Sequence, residues 1–388
     1  MSIKTNADAV LRKGVESGDV PGVVAAATDA NETIYEGAFG VRALGQPEEM
    51  TPDTVVWIAS MTKALTGTAA MQLVERGKLA LDEPIGEVLP ALKDVGVLEG
   101  FDADGQPRTR PAKQAMTLRH LLTHTAGFGY EFWDADDVRY QKVKGLPRIL
   151  SCRNTTLQLA LHFDPGERWQ YGINIDWVGK VVEAASGKKL GEYLAEHVMG
   201  PLDMTDTAFY ITPNMRKRMA KVHQRSKDGK LTPLMEYEIP QNPEFEMGGG
   251  GLYSTMGDYL KFIRMILNDG RAGVEQVLKP ETIALMTHNA MGNHRVTLLK
   301  TAMPAVSEDA EFFPGVPKSW GLTFMINEEE APTGRTKGSL AWAGLANSYY
   351  WIDPARKLGG AYATQIFPFA DTKSLPLYLE FEKAVYQG

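Results

Sequence analysis

Cysteine is nearly absent: Cys152 alone among 388 residues leaves no partner for an internal disulfide. Nothing in its sequence neighbourhood supplies a base, so it reads as a plain thiol. Long apolar runs are missing as well. None approaches the roughly 20 residues that span a bilayer, and Met1 to Asp8 lacks the apolar stretch of an export signal. These absences lead to the expectation of a cytoplasmic protein without a membrane partner. Positive charge is in deficit, with 41 Lys and Arg against 48 Asp and Glu and a net charge of −7. That balance argues against nucleic acid and anionic membrane as partners. Short basic clusters such as Arg216-Lys217-Arg218 read as a solvated face.

Several catalytic signatures are also missing. No Gly-x-Ser-x-Gly elbow and no His-Glu-x-x-His pair occurs. His120 and His124 have a spacing that can bind zinc, but no third ligand follows at a recognisable distance, so structural hydrogen bonding is the better reading. Gly248-Gly249-Gly250-Gly251 lacks the Lys-Ser/Thr that completes a phosphate cradle. No metal or organic cofactor is called for.

What is present is a chain with 44% apolar residues, long enough for two packed subdomains. Gly22 to Thr28 and Thr33 to Gly40 are β-rich and flank the turn Asp29-Ala30-Asn31-Glu32, a hairpin signal. The polar stretch Glu99 to Ala115 reads as a surface excursion. From about 86 to 212 the pattern is mainly helical, clearest at Thr155 to His162 and Ile175 to Ala185. A helix over Met256 to Leu267 precedes strands at Trp320 to Ile326, Ser339 to Trp351 and Leu358 to Phe367, and Lys373 to Gln387 closes as a helix.

The most informative stretch is Ser60-Met61-Thr62-Lys63, followed by the helix-like run Ala64 to Arg76. A hydroxyl and an amine three residues apart at a helix start project from one face and can share a proton. An apolar pocket and the positive end of the helix dipole both disfavour the ammonium form, so such a lysine can act as a base. The free amide of Ser60 can also donate to an oxyanion. Ser186-Gly187-Lys188-Lys189 matches the same spacing, but lies in a polar turn and reads as a helix terminus.

With Thr117 to Phe128, the run Tyr171-Gly172-Ile173-Asn174-Ile175-Asp176 and Trp342-Ala343-Gly344 in order behind Ser60-x-x-Lys63, the chain resembles the serine β-lactamase and penicillin-binding-protein group. Within that group it most resembles the family VIII carboxylesterases, which are similar to class C β-lactamases. The resemblance implies an α/β (α+β) fold: an antiparallel sheet flanked by helices, plus a mainly helical subdomain. The expected division is 1–85 with 213–388 for the sheet and nucleophile helix, and 86–212 for the helical part lining the cleft.

It also implies roles. Tyr171 takes the proton of Ser60, aided by Lys63; by its residues alone it could equally be a buried tyrosine capping a helix. Leu345 supplies the second oxyanion amide. Trp342-Ala343-Gly344 stands where the lactamases carry Lys-Thr-Gly, which removes the cation and hydroxyl that meet a β-lactam carboxylate. Asn174 comes three residues after Tyr171 rather than two, a further departure from lactamases. Lys337 falls too early to replace the missing lysine and reads as a solvated turn residue. Trp342, Ala343, Gly344, Tyr253 and Asn347 are substrate-binding candidates because they belong to or flank matched motifs. Phe128 and Tyr130 open an aromatic segment that can line a pocket or simply pack a long loop.

The resulting expectation is a carboxylesterase acting on short to medium acyl esters of small molecules through an acyl-enzyme. Acyl transfer to an alcohol, amide hydrolysis or weak β-lactam hydrolysis by the same residues are the alternatives. A binding or filament module of the same fold is the non-enzymatic one. Oligomerisation is possible.

Overall fold

The computed structural model describes residues 2–388. The chain opens with α1 (Ile3–Glu16), capped by the Ser2 hydroxyl accepting from the Thr5 amide. A hairpin follows, β1 (Gly22–Asp29) and β2 (Thr33–Gly40), whose turn is fixed by Asp29 Oδ1 accepting from the amides of Asn31 and Glu32. The helix α2 (Thr62–Glu75) starts inside the Ser60–Lys63 motif, and α3 (Asn174–Ser186) and α4 (Met256–Leu267) come next among the longer helices. Strands then return as β3 (Lys318–Trp320), β4 (Met325–Asn327), β5 (Leu340–Gly344), β6 (Ser348–Asp353) and β7 (Leu358–Ala363), and α5 (Ser374–Tyr386) ends the fold.

Seven strands form one antiparallel sheet in the order β3-β4-β5-β6-β7-β1-β2, so the two ends of the chain meet where β7 pairs with β1, Val24 opposite Ala363. Alternation along β6 assigns its two faces. Tyr349 and Trp351 face α5, where Tyr349 stacks on Tyr378 and Trp351 meets Phe381. Tyr350 points the other way, onto Tyr259 of α4. The Tyr259 hydroxyl in turn donates 3.0 Å to the Met61 carbonyl, which fixes the nucleophile segment against this face. Gly360 allows the close packing, since a Cβ there would collide with the Trp351 ring.

Three expectations change in detail. Each long C-terminal strand is broken in two by a turn, and non-glycine residues with positive φ mark the breaks at Thr323, Asn347 and Gln365. The polar stretch after Glu99 contributes to a two-stranded hairpin, Val97–Phe101 with Pro107–Arg110. The helical period over 155–162 yields only a short 3-10 turn, Asn154–Leu157. Beyond it, Leu161 exchanges backbone hydrogen bonds with Gly96 and Leu98 at 2.9 and 2.7 Å, and this extended pairing overrides local helix preference.

Candidate active site

Ser60 lies in a 3-10 turn, Ala59–Met61, that runs directly into α2. The residue before it, Ala59, has φ +44°, a left-handed conformation that side chains other than glycine adopt at a cost. Lys63 follows in the first turn of α2 and is buried, 1% exposed. Its Nζ stands 3.1 Å from Ser60 Oγ, 3.1 Å from the Tyr130 hydroxyl and 2.5 Å from the Gly249 carbonyl oxygen.

These three partners dictate what a neutral Lys63 does. The Gly249 carbonyl can only accept, and the Tyr130 hydroxyl already donates 2.9 Å to Asp176 Oδ2. A neutral amine has two N–H groups, which those two acceptors take. Its lone pair is left for the Ser60 hydroxyl proton. Burial pulls the Lys63 pKa down to about 7, against the opposing pull of the Asp176 carboxylate. The unprotonated form is therefore well populated at neutral pH.

Tyr171 is buried just ahead of α3, its ring 4.7 Å from His124 and 4.8 Å from Trp342. The Trp342 indole N–H donates to the Tyr171 hydroxyl at 2.9 Å. Lys63 Nζ sits 4.8 Å from the centre of the Tyr171 ring. Burial raises the Tyr171 pKa, while hydrogen bonds from Ser60 and Trp342 favour its ionised form. The tryptophan that replaces the family's lysine thus still presents an N–H to the site.

Asp176, in the first turn of α3, went unassigned in the sequence. It is fully buried, and its Oδ1 accepts from the Gly249 amide at 2.8 Å while Oδ2 accepts from Tyr130. Burial raises its pKa, and Lys63 counters that rise. A side chain at Gly249 would collide with the Asp176 carboxylate, which explains glycine there. Tyr130 joins the candidate catalytic cluster, bridging Lys63 and Asp176, beyond the pocket role suggested for it.

A narrow cavity of about 20 Å³ lies over Ser60, walled by Trp57, Phe132, Trp133, Leu150, Met247 and Leu345. Ser60 and Leu345 share this lining, so both candidate oxyanion residues border one space. Gly344 is required beside them, since a Cβ there would meet the Ile58 carbonyl. The remaining candidates lie outside this lining. Phe128 is buried against Trp177, with its carbonyl 3.4 Å from Asn174 Nδ2. The Tyr253 hydroxyl accepts from the Ile239 amide at 3.0 Å. Asn347 spends its side chain on Ile366, Pro368, Tyr349 and Asp371, holding the turn between β5 and β6. Ala343 alternates to the opposite face from Trp342, beside Tyr349.

The other flagged groups have structural partners. His120 Nδ1 accepts from the Thr117 amide at 3.2 Å, and His124 Nδ1 lies 2.9 Å from Asn174 Nδ2. Ser186 ends α3, with Gly187 as its left-handed cap. Lys337 is exposed in a turn. Cys152 is buried, its thiol pushed up to about 12 by desolvation, which suits an inert thiol.

Fold and site together define a penicillin-binding-protein-like serine acyl-transfer scaffold, shared by hydrolases and acyltransferases. The Beta-lactamase family profile matches residues 7–383, and the chain belongs to that family. It is 34% identical to monacolin J acid methylbutanoyltransferase of Aspergillus terreus, over 98% of this chain and 94% of that protein. It is 30% identical to lovastatin esterase of Penicillium rubens, over 98% of each. Among solved structures, simvastatin synthase (LovD6 mutant) from Aspergillus terreus superposes with a TM-score of 0.84 at 33% identity, covering 98% of this chain and 96% of that one. Among the described residues, no helix is long and apolar enough to cross a membrane.

Proposed function

We propose that the chain moves an acyl group through a Ser60 acyl-enzyme onto an acceptor hydroxyl, and hydrolyses the ester when water takes the acceptor's place. The observation that carries this reading is the Lys63 amine, whose other partners leave its lone pair for Ser60 Oγ at 3.1 Å. Ser60 attacks an ester carbonyl, Lys63 and Tyr171 manage the proton, and the amides of Ser60 and Leu345 hold the oxyanion. The leaving alcohol takes the proton back from the Lys63–Tyr171 pair, and a second hydroxyl then enters by the reverse path.

Acyl transfer takes precedence over the plain carboxylesterase expected from the motifs for two reasons. Relatives that cover nearly the whole chain bear acyltransferase names, with an esterase also among them. The apolar cavity over Ser60 has room for roughly one water. So narrow an apolar space beside Ser60 leaves little room for bulk water to compete with an acceptor for the acyl-enzyme. The test is product analysis with a p-nitrophenyl ester donor and a rising concentration of alcohol. New ester forming at the expense of free acid supports the reading, and free acid alone at every alcohol concentration returns the protein to a plain esterase.

A further inference from the structure

Away from Ser60, on the far side of the loop that carries Tyr130, three metal-ligating side chains meet. Asp134 caps the helix Ala135–Lys144, Asp137 lies in its first turn, and His162 follows Leu161, which pairs with Gly96 and Leu98. One ligand atom from each lies within 4.8 Å of the others. His162 Nε2 stands 3.0 Å from Asp137 Oδ1, and its Nδ1 stands 3.6 Å from Asp134 Oδ2.

The surroundings of Asp137 call for a cation. Its side chain is buried, 2% exposed, and its Oδ2 has no hydrogen-bond partner. A carboxylate oxygen taken out of water and left bare costs free energy. That oxygen converges with other polar atoms over the open face of Gly129. A Cβ added there would lie 2.3 Å from Asp137 Oδ2, 2.9 Å from Gln170 Nε2 and 3.0 Å from His162 Nε2, so glycine keeps the space between them clear. Gln170 Nε2 in turn donates to Asp134 Oδ2 at 2.9 Å. Charge balance points the same way. Among the described residues no lysine or arginine pairs with Asp134 or Asp137, and His162 offsets them only when protonated.

We propose that Asp134, Asp137 and His162 hold a divalent transition-metal ion of the zinc type, as a structural clamp. An imidazole beside two carboxylates suits zinc and its first-row neighbours, whereas magnesium and calcium favour all-oxygen sets. Ligand atoms about 2.0–2.2 Å from one tetrahedral ion stand about 3.3–3.6 Å apart, so a slight spreading of the 3.0 Å contact seats it. The ion displaces the proton shared by His162 Nε2 and Asp137, and gives Oδ2 the positive partner it lacks. Asp134 lines a cleft of about 680 Å³ beside Tyr171, which provides a path from solvent. No step of acyl transfer runs through this ion. It fastens the helix that follows the Tyr130 loop to His162, beside Gln170 and Tyr171, and so stiffens the backing of the site. The sequence called for no metal because the third ligand lies 25 residues beyond the second, outside any recognisable spacing.

The test starts from protein stripped with a chelator, loaded with Zn²⁺ and desalted, with metal measured by mass spectrometry. The wild type should retain about one zinc per chain, and Asp137→Asn and His162→Gln, each checked for folding by circular dichroism, should retain about tenfold less. Free Zn²⁺ at about a hundredfold excess over Kd should raise the wild-type Tm by about 3 °C and leave both variants unmoved. Zinc absent from the wild type without a shift in Tm would overturn the proposal and leave His162 as an ion-pair bridge between two carboxylates. Equal retention by wild type and folded variants would overturn it too, by assigning the metal to surface histidines. If either variant fails to fold, anomalous diffraction at the zinc edge from a soaked wild-type crystal decides: a peak between His162 and Asp137 supports the site, and none there refutes it.

Discussion

Replacing Trp342 by Phe isolates a single N–H. The indole donates 2.9 Å to the Tyr171 hydroxyl, and its ring packs 4.6 Å from Trp320 and 4.8 Å from Tyr171. Phenylalanine keeps most of that packing and loses the donor. In the resting enzyme the bond joins neutral groups, worth about 0.5–1.5 kcal/mol of stability. When Tyr171 carries negative charge during proton transfer, the same bond becomes charge-assisted, worth about 1.5–3 kcal/mol. The loss specific to the transition state is the difference between the two, about 1–1.5 kcal/mol, which lowers kcat/KM by about 5- to 13-fold. Steady-state kinetics on a p-nitrophenyl ester, with thermal unfolding run alongside, reads both effects. A variant that folds like the wild type and turns over within about twofold of it would refute the share of the proton transfer given to Tyr171.

Asp176→Asn removes the charge that holds the Lys63 pKa up. The rising limb of kcat/KM, expected near pH 7 in the wild type, should then move to lower pH, because a less favoured ammonium loses its proton earlier; an unmoved or raised limb contradicts the electrostatic coupling. Lys63→Ala and Tyr171→Phe should each reduce kcat by orders of magnitude, about 10²–10⁴-fold, while leaving the far-ultraviolet circular dichroism unchanged. Arg335→Met leaves the buried Glu382 carboxylate without the guanidinium that now donates to it at 2.6 Å, so denaturant unfolding should show a loss of about 3–5 kcal/mol; a loss under about 1 kcal/mol would mean the pair is not holding α5 to the loop after β4.

Local spacing nominated Ser60 with Lys63 and equally Ser186 with Lys189, because three residues along one helical turn bring side chains together; the accompanying motifs singled out the first pair. Their actual setting, a 3-10 turn with a left-handed Ala59, is a backbone detail no residue type announces. Tyr171 and the Trp342 segment were legible only through resemblance, since they lie far apart in sequence and meet through the fold. Asp176 has no legible role within its matched stretch, because its chemistry depends on meeting Gly249 and Tyr130, which sit on separate loops. Proximity to a motif misplaced Tyr253, Asn347 and Phe128. Which way a side chain points follows from strand alternation and turn geometry, and Asn347 with φ +57° is committed to holding its own turn. The places of the strands along the chain were readable from the β-rich runs, whereas their division into shorter strands depended on turns whose positive φ falls on ordinary residues.

The central claim is a covalent acyl intermediate on Ser60. Intact-mass measurement within seconds of mixing with a slowly turned-over p-nitrophenyl ester tests it directly. A mass increase equal to one acyl group, mapped to the peptide containing Ser60 and absent in Ser60→Ala, is the predicted result. Product release by the wild type without any adduct, or by Ser60→Ala at the wild-type rate, would contradict it.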